Sequence, residues 1–251
     1  MTEIEARDLS LGEDHCVSPG LHVQRRSFLG LAAATLLAPS VGRAGVRAVE
    51  EEPQLSLEEF LEEVVPVAKR LVAGLASKPA RAAEDRYLFT LASFACRLGA
   101  VEAPEMRATS QGSGAFIGAS WVGDPFVVLH WRLEPGATIR THAHTYGNVC
   151  TLGLEGAARV HNYETVEEPD FASSEPVLLR RLRVQHLDVG GINLVPLSHG
   201  FCHGFEAGPE GARGLDITTR LAERTATPYL ELEPKPVDAA LGLHRGRWSV
   251  E

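Results

Sequence analysis

The chain has 251 residues, 44% hydrophobic and 23% charged, with a formal charge of −9. That mix belongs to a globular protein with room for one large domain or two small ones, and its acidity argues against non-specific nucleic-acid binding, which needs a basic footprint. Cys16, Cys96, Cys150 and Cys202 are scattered without a CxxC pair, so neither a disulfide framework nor a zinc knuckle is indicated.

A polar segment ends in Gln24-Arg25-Arg26-Ser27-Phe28-Leu29-Gly30, and an apolar run of Leu, Ala and Gly follows through Ala38. Pro39 and small residues come next, with cleavage points after Ala44 or Ala48. The paired arginines before Ser-Phe-Leu resemble a twin-arginine (Tat) leader. The apolar run is too short for a bilayer span, and no cysteine sits at the cleavage region to carry a lipid, so no stable membrane anchor is expected. Residues 1–48 are therefore expected to be a Tat-like export signal, with the Tat export machinery as partner and a periplasmic or secreted protein as outcome. Tat moves folded proteins, so a metal site could be filled before export.

Residues 49–111 read as a linker and helical preface. Glu50 to Pro53 form a short acidic linker. Ser56-Leu57-Glu58-Glu59 is a capping box. Leu57, Phe60, Leu61, Val64, Ala68, Leu71 and Leu75 then recur at helical spacing, and Pro66 is expected to kink or split that helix. A second helical pattern covers Ala82 to Leu98, with Tyr87, Leu88, Leu91, Phe94 and Ala95 on one face and Gly99 as a stop. Both stripes are expected to pack on the outside of the strand-rich segment downstream.

From Gly112 the pattern changes to short strands: Phe116-Ile117, Phe126 to Leu133, Asn148 to Leu154, Ala158 to Tyr163, Val177 to Leu187, Gly191 to Val195, Phe201 to Phe205 and Gly214 to Thr218. Gly and Pro turns separate them, among them Pro135-Gly136, Glu155-Gly156 and Gly208-Pro209. Many short, punctuated strands without helices between them predict a sandwich or barrel over residues 112–232, leaving 233–251 as a C-terminal tail.

The chemistry concentrates in Pro135-Gly136-Ala137-Thr138-Ile139-Arg140-Thr141-His142-Ala143-His144. On an extended strand, residues two apart share a face, so His142 and His144 can offer two imidazoles to one metal ion. In the downstream stretch His199-Gly200-Phe201-Cys202-His203-Gly204-Phe205, His203 shares a face with Phe201 and Phe205, and Cys202 faces away. His203 is the expected third ligand. His199 has the same parity but adjoins a glycine turn and is the runner-up.

Gly136, five residues, His142-x-His144 resembles the first motif of the cupins. The resemblance implies a mainly β fold, a cupin-type double-stranded β-helix (jelly-roll barrel), here with an N-terminal helical preface. The usual cupin supplies a glutamate four residues after the second histidine; here that position is Asn148, a poor ligand beside imidazoles for Fe or Mn. What remains is a three-histidine face. Within the cupins this is similar to the thiol dioxygenases of the cysteamine dioxygenase and plant cysteine oxidase branch. The residues that carry the likeness are His142-Ala143-His144-Thr145-Tyr146-Gly147-Asn148-Val149, Leu154-Glu155-Gly156 with Val160-His161-Asn162-Tyr163, His203-Gly204-Phe205-Glu206-Ala207, and Leu215-Asp216-Ile217.

The resemblance implies Fe(II) held by His142, His144 and His203, a small thiol substrate and O2 as partners, and a sulfinic acid product. It assigns Asp216 to orient a ligand or the substrate amine. Tyr229 is expected to hydrogen-bond in the site, although Pro228-Tyr229 lies farther along than the family's Pro-Pro-Tyr; Tyr146 and Tyr163 stand behind it. Arg140 and Arg159 are the arginines that could meet a substrate carboxylate, and Cys150 is expected to be a buried structural thiol. Two further readings stand beside a thiol dioxygenase: an exported non-catalytic cupin that binds a metal or small ligand, and a cupin enzyme acting on a non-thiol substrate.

Overall fold

The computed structural model describes residues 54–74, 81–173, 175–199, 201–223 and 226–250. The export signal expected for residues 1–48, with Arg25 and Arg26, lies outside the described residues. Among those described, no helix is long and apolar enough to cross a membrane.

Two helices come first, α1 (Leu57–Gly74) and α2 (Arg81–Ala95). Ser56 and Glu59 close the predicted capping box: the Ser56 amide donates to Glu59 Oε2 at 2.8 Å and the Glu59 amide to Ser56 Oγ at 3.2 Å. Pro66 does not split α1. It lies on the solvent side, where water can satisfy the carbonyl that loses its intrahelical donor. Ten strands follow among the described residues: β1 (Arg107–Ala108), β2 (Ala115–Val122), β3 (Phe126–Leu133), β4 (Thr138–Ala143), β5 (Gly147–Thr165), β6 (Val177–Leu187), β7 (Ile192–Val195), β8 (Phe201–Arg220), β9 (Pro228–Leu232) and β10 (Leu243–Val250). A 3-10 turn, Leu197–His199, joins β7 to β8.

The protein is mainly β, a double-stranded β-helix barrel preceded by two helices. β5 and β8 run antiparallel along its whole length. Their outer halves belong to the run β1-β2-β3-β8-β5-β7. Their inner halves belong to a closed circuit, β4-β8-β5-β6-β10-β9 and back to β4. The segment expected as a C-terminal tail is thus corrected: Leu243–Val250 is a wall strand, with Trp248 paired to Leu230 and His244 to Leu179. Its alternation of His244, Gly246 and Trp248 against Arg245 and Arg247 gives it one face to bury and one to expose. Four expected strands also merge into two. The Glu155-Gly156 turn lies within β5 as a register shift, Gly156 taking a φ of 61° that a side chain disfavours, and Gly208-Pro209 lies within β8.

Three apolar clusters hold the fold. The largest joins Phe60, Val64, Tyr87, Leu88 and Leu91 of the helices to Phe126, Val128, Cys150, Leu152, Leu215 and Ile217 on one sheet face. Cys150 is therefore a buried thiol under the helices. Trp131, Leu133, Ile139, Val160, Leu187 and Phe205 form the second. Ala143, Tyr163, Leu179, Cys202, Leu230 and Trp248 form the third, from strands of the closed circuit.

His130 is wholly buried beside this packing, paired across the ladder with Leu215, and neither ring nitrogen has a hydrogen-bond partner. Burial, aided by the Arg213 charge, lowers its pKa to about 4. Above about pH 6.5 the ring is neutral folded and unfolded alike. At lower pH, the unfolded chain takes up a proton that the folded one refuses until about pH 4, so stability falls as pH drops through this window. The loss should reach about 3 kcal/mol, at about 1.4 kcal/mol per unit. Urea unfolding of wild type and His130→Leu between pH 7 and 4 checks this; equal pH slopes would mean that His130 does not cause the loss.

Candidate metal centre

The turn after β3 carries Gly136 at a φ of 71°, and β4 then runs beside the first residues of β8. An irregularity between Ile139 and His142 gives β4 an extra residue against β8, so that Ile139 opposes Phe205 and His142 opposes His203. Gly204 lets the strands approach: a Cβ there would stand 2.6 Å from Thr141 Oγ1. β4 ends at Ala143, so His144 stands in the turn to β5 rather than on a strand. His142, His144 and His203 nevertheless meet. Their rings lie 4.9 to 5.0 Å apart by centroid, and one nitrogen from each falls within 4.8 Å of the others. His142 and His203 are buried, whereas His144 is partly exposed and marks the open side.

Proton positions follow from the neighbours. His142 Nδ1 lies 2.9 Å from the Arg140 carbonyl oxygen. A carbonyl only accepts, so Nδ1 carries the proton and Nε2 keeps its lone pair. For His203 the same logic runs through three amides. Gln185 Nε2 donates to the Ile192 carbonyl at 2.5 Å, which leaves Gln185 Oε1 to accept from Asn193 Nδ2 at 3.1 Å. Asn193 Nδ2 also donates to Asn162 Oδ1 at 3.2 Å. The Asn193 oxygen is thereby aimed at His203 Nδ1, 3.4 Å away, and His203 Nε2 is left as an acceptor. It faces His144 Nε2 at 2.9 Å.

These donors fit one divalent cation. Bonds of about 2.0–2.1 Å to imidazole, taken near a right angle, place two ligand nitrogens about 3 Å apart, close to the His144–His203 contact. Burial pushes all three imidazoles below their usual range, with repulsion among them adding to the effect at His144 and His203. Neutral imidazole is the form that binds metal. Among the described residues the cluster of histidine, cysteine and acidic groups consists of these three alone. Asn148 does not face it: its Nδ2 donates to Glu84 Oε1 of α2 at 3.1 Å, and its cross-strand neighbour Thr219 bonds the Tyr87 hydroxyl at 2.6 Å.

The other expected residues divide. Tyr229 pairs with His142 across β9 and β4, its ring 6.1 Å from the imidazole, and the Arg140 guanidinium stacks on it at 4.1 Å. Asp216 lies in one cross-strand row with Thr151 and Asn193. It accepts a 2.6 Å hydrogen bond from Thr151 Oγ1, and burial pushes its pKa up to about 6. Tyr163 packs with Cys202 in the third cluster, on the face away from His203. Arg159 pairs with Glu206 at 3.5 Å on the exposed surface. The backbone of His199 belongs to the 3-10 turn, not to β8. Sequence reasoning missed Asn193, Asn162 and Gln185. The signal at Asn193 was an amide inside an apolar run, Ile192-Asn193-Leu194-Val195, whereas Asn162 and Gln185 sit among polar neighbours such as His161 and Arg183 that mask them.

No protein-family model matches the chain, and no curated protein sequence does. Solved structures do. KdgF from Halomonas sp. is 15% identical over 48% of this chain and 90% of its own, with a TM-score of 0.36. An uncharacterised conserved protein of Klebsiella pneumoniae with a double-stranded β-helix domain is 22% identical, covering 47% of this chain and 90% of its own at a TM-score of 0.34. A Bacillus subtilis oxalate decarboxylase variant is 21% identical over 46% of this chain but only 27% of its own, with a TM-score of 0.35. The chain spans about a quarter of that enzyme. At these values the fold rests on the strand pairing of β1 to β10, and none of the three transfers an activity.

Proposed function

We propose that the protein is a non-haem Fe(II) thiol dioxygenase, adding both atoms of O2 to the sulfur of a small aminothiol or an N-terminal cysteine, so that RSH and O2 give RSO2H. The observation that carries this reading is the all-imidazole cluster without an acidic member. Three neutral ligands leave the charge of a divalent ion uncompensated, and a soft thiolate suits such a site. Ferrous iron held there supplies the redox chemistry that lets dioxygen react with a thiolate sulfur.

The chain's own groups do the rest. His142 and His203 keep Nε2 unprotonated through the Arg140 carbonyl and Asn193. Arg140, whose charge is felt at His142, draws an anionic substrate towards the cluster. Tyr229 offers a hydroxyl on the face that carries His142, and Asp216 accepts a hydrogen bond from a substrate amine once ionised, above about pH 6. We assign residues 1–48 to Tat export on the strength of Arg25-Arg26-Ser27-Phe28-Leu29; fractionation after replacing both arginines by lysine is the test.

Anaerobic loading with Fe(II), then oxygen uptake with cysteine, cysteamine, 3-mercaptopropionate and a Cys-initiated peptide, tests the activity. At least one thiol should consume O2 in equal amount and appear as its sulfinate by mass. Iron-loaded protein that consumes no O2 with any of them overturns the thiol dioxygenase reading.

A further inference from the structure

We propose that Glu84 of α2 is a positioning residue for the metal centre, fixing both ligand-bearing segments from outside the barrel. This rests on reading His142, His144 and His203 as metal ligands.

Glu84 is a carboxylate with 0% exposure in a helix whose other buried residues are apolar apart from the Tyr87 hydroxyl. Its Oε1 accepts from Asn148 Nδ2 at 3.1 Å and from the Leu197 amide at 2.7 Å, and its Oε2 accepts from the Ser198 amide at 2.9 Å. Leu197 and Ser198 open the 3-10 turn that leads into β8, where amides lack partners within the turn. Ser198 precedes His203 on the path into β8, and Asn148 follows His144 as the second residue of β5. One side chain thus holds the chain just before one ligand and just after another. Three N–H donors converging on it require an acceptor-only group with two oxygens, which an amide or hydroxyl does not provide. The helices are in this sense part of the metal site's support, although they contribute no ligand.

Tyr87, one turn along α2, is the built-in control. It ties the same helix to the barrel through Thr219 but does not bond Leu197 or Ser198. Co(II) titration of purified wild type, Glu84→Ala, Glu84→Gln and Tyr87→Phe, followed by the visible absorption of the bound ion, separates support from packing. The Glu84 variants should bind Co(II) about 10–100-fold more weakly, the range for losing an outer support, and shift its absorption bands. Tyr87→Phe should lower Tm yet keep affinity and spectrum. Adding Asn148→Asp to Glu84→Gln restores a donor–acceptor pair and should recover part of the affinity. Amide exchange at Cys202 and His203 in metal-free protein is the second readout, expected to speed up in Glu84→Ala and not in Tyr87→Phe. If Glu84 and Tyr87 variants of equal Tm loss bind Co(II) alike and exchange alike, the proposal is overturned. If wild type itself takes up no Co(II), the ligand reading falls and takes the proposal with it, an outcome distinct from one in which wild type binds Co(II) and the Glu84 variants bind it equally well.

Discussion

His203→Ala should leave the folded protein with only traces of metal after dialysis against Fe(II) or Co(II), and wild type should retain close to one ion per chain. The expected loss exceeds the 10–100-fold that removal of an outer support causes, because the deleted ring is itself a donor. His203 contributes the nitrogen that stands 2.9 Å from His144. Without it, two imidazoles remain and no acidic group of the cluster replaces the third. The fold should tolerate the change. Three neutral imidazoles buried together leave ring nitrogens poorly paired without a cation, so losing one offsets part of the cost of the cavity it leaves against Phe205, 4.7 Å away by ring centroid. His203→Gln, which keeps volume and an acceptor, guards against collapse. Metal content by elemental analysis with circular dichroism reads both quantities; a folded His203→Ala protein that holds metal as wild type does would remove His203 from the ligand set.

Asn193→Leu should carry the second-largest effect, and on two observables. The substitution keeps side-chain size but deletes the branch point of the amide network. Gln185 Oε1 and Asn162 Oδ1 lose their donor, and His203 Nδ1 loses its acceptor. Buried polar groups left without partners cost about 1–3 kcal/mol each, partly relieved by relaxation, so a destabilisation of about 3 kcal/mol is expected. The His203 tautomer is also released, which should weaken metal binding about 10–100-fold. Gln185→Leu is the comparison. It removes both Gln185 bonds, to the Ile192 carbonyl and from Asn193, but leaves Asn193 held by Asn162, so it should lower stability with a much smaller change in affinity. Urea melts with metal titrations of the two variants make the check; equal affinity losses would mean that the network does not act through His203.

The barrel and its histidines were legible because they depend on short-range signals. The periodicity of Phe126 to Leu133 and Val177 to Leu187 matches β3 and β6 at both ends. His142 and His203 stand out as histidines in strand-like runs, and β4 and β8 oppose them directly. What was not legible depends on partners distant along the chain or on breaks in the two-residue period. Counting from His144 puts Asn148 at a ligand position, but His144 sits in a turn and the alternation restarts at β5, which sends Asn148 towards α2. The role of Glu84 was hidden for a similar reason. Its partners Leu197 and Ser198 are more than a hundred residues away, and within α2 it reads as one more acidic residue of a first turn. Arg140 shares a local pattern with His142, yet its stacking on Tyr229 depends on the pairing of β4 with β9.

The largest apolar cluster bears on where this protein can be cut. Phe126, Val128, Cys150, Leu152, Leu215 and Ile217 are covered by α1 and α2, and Leu55 is clipped to the end of α2 by backbone hydrogen bonds to Arg97 and Gly99 at 2.7 and 2.9 Å. Trimming the chain to its β portion would bare a contiguous greasy wall, the kind of surface that drives self-association. A fragment meant to stand alone should therefore start at or before Leu55, so that the helices stay on the wall they cover.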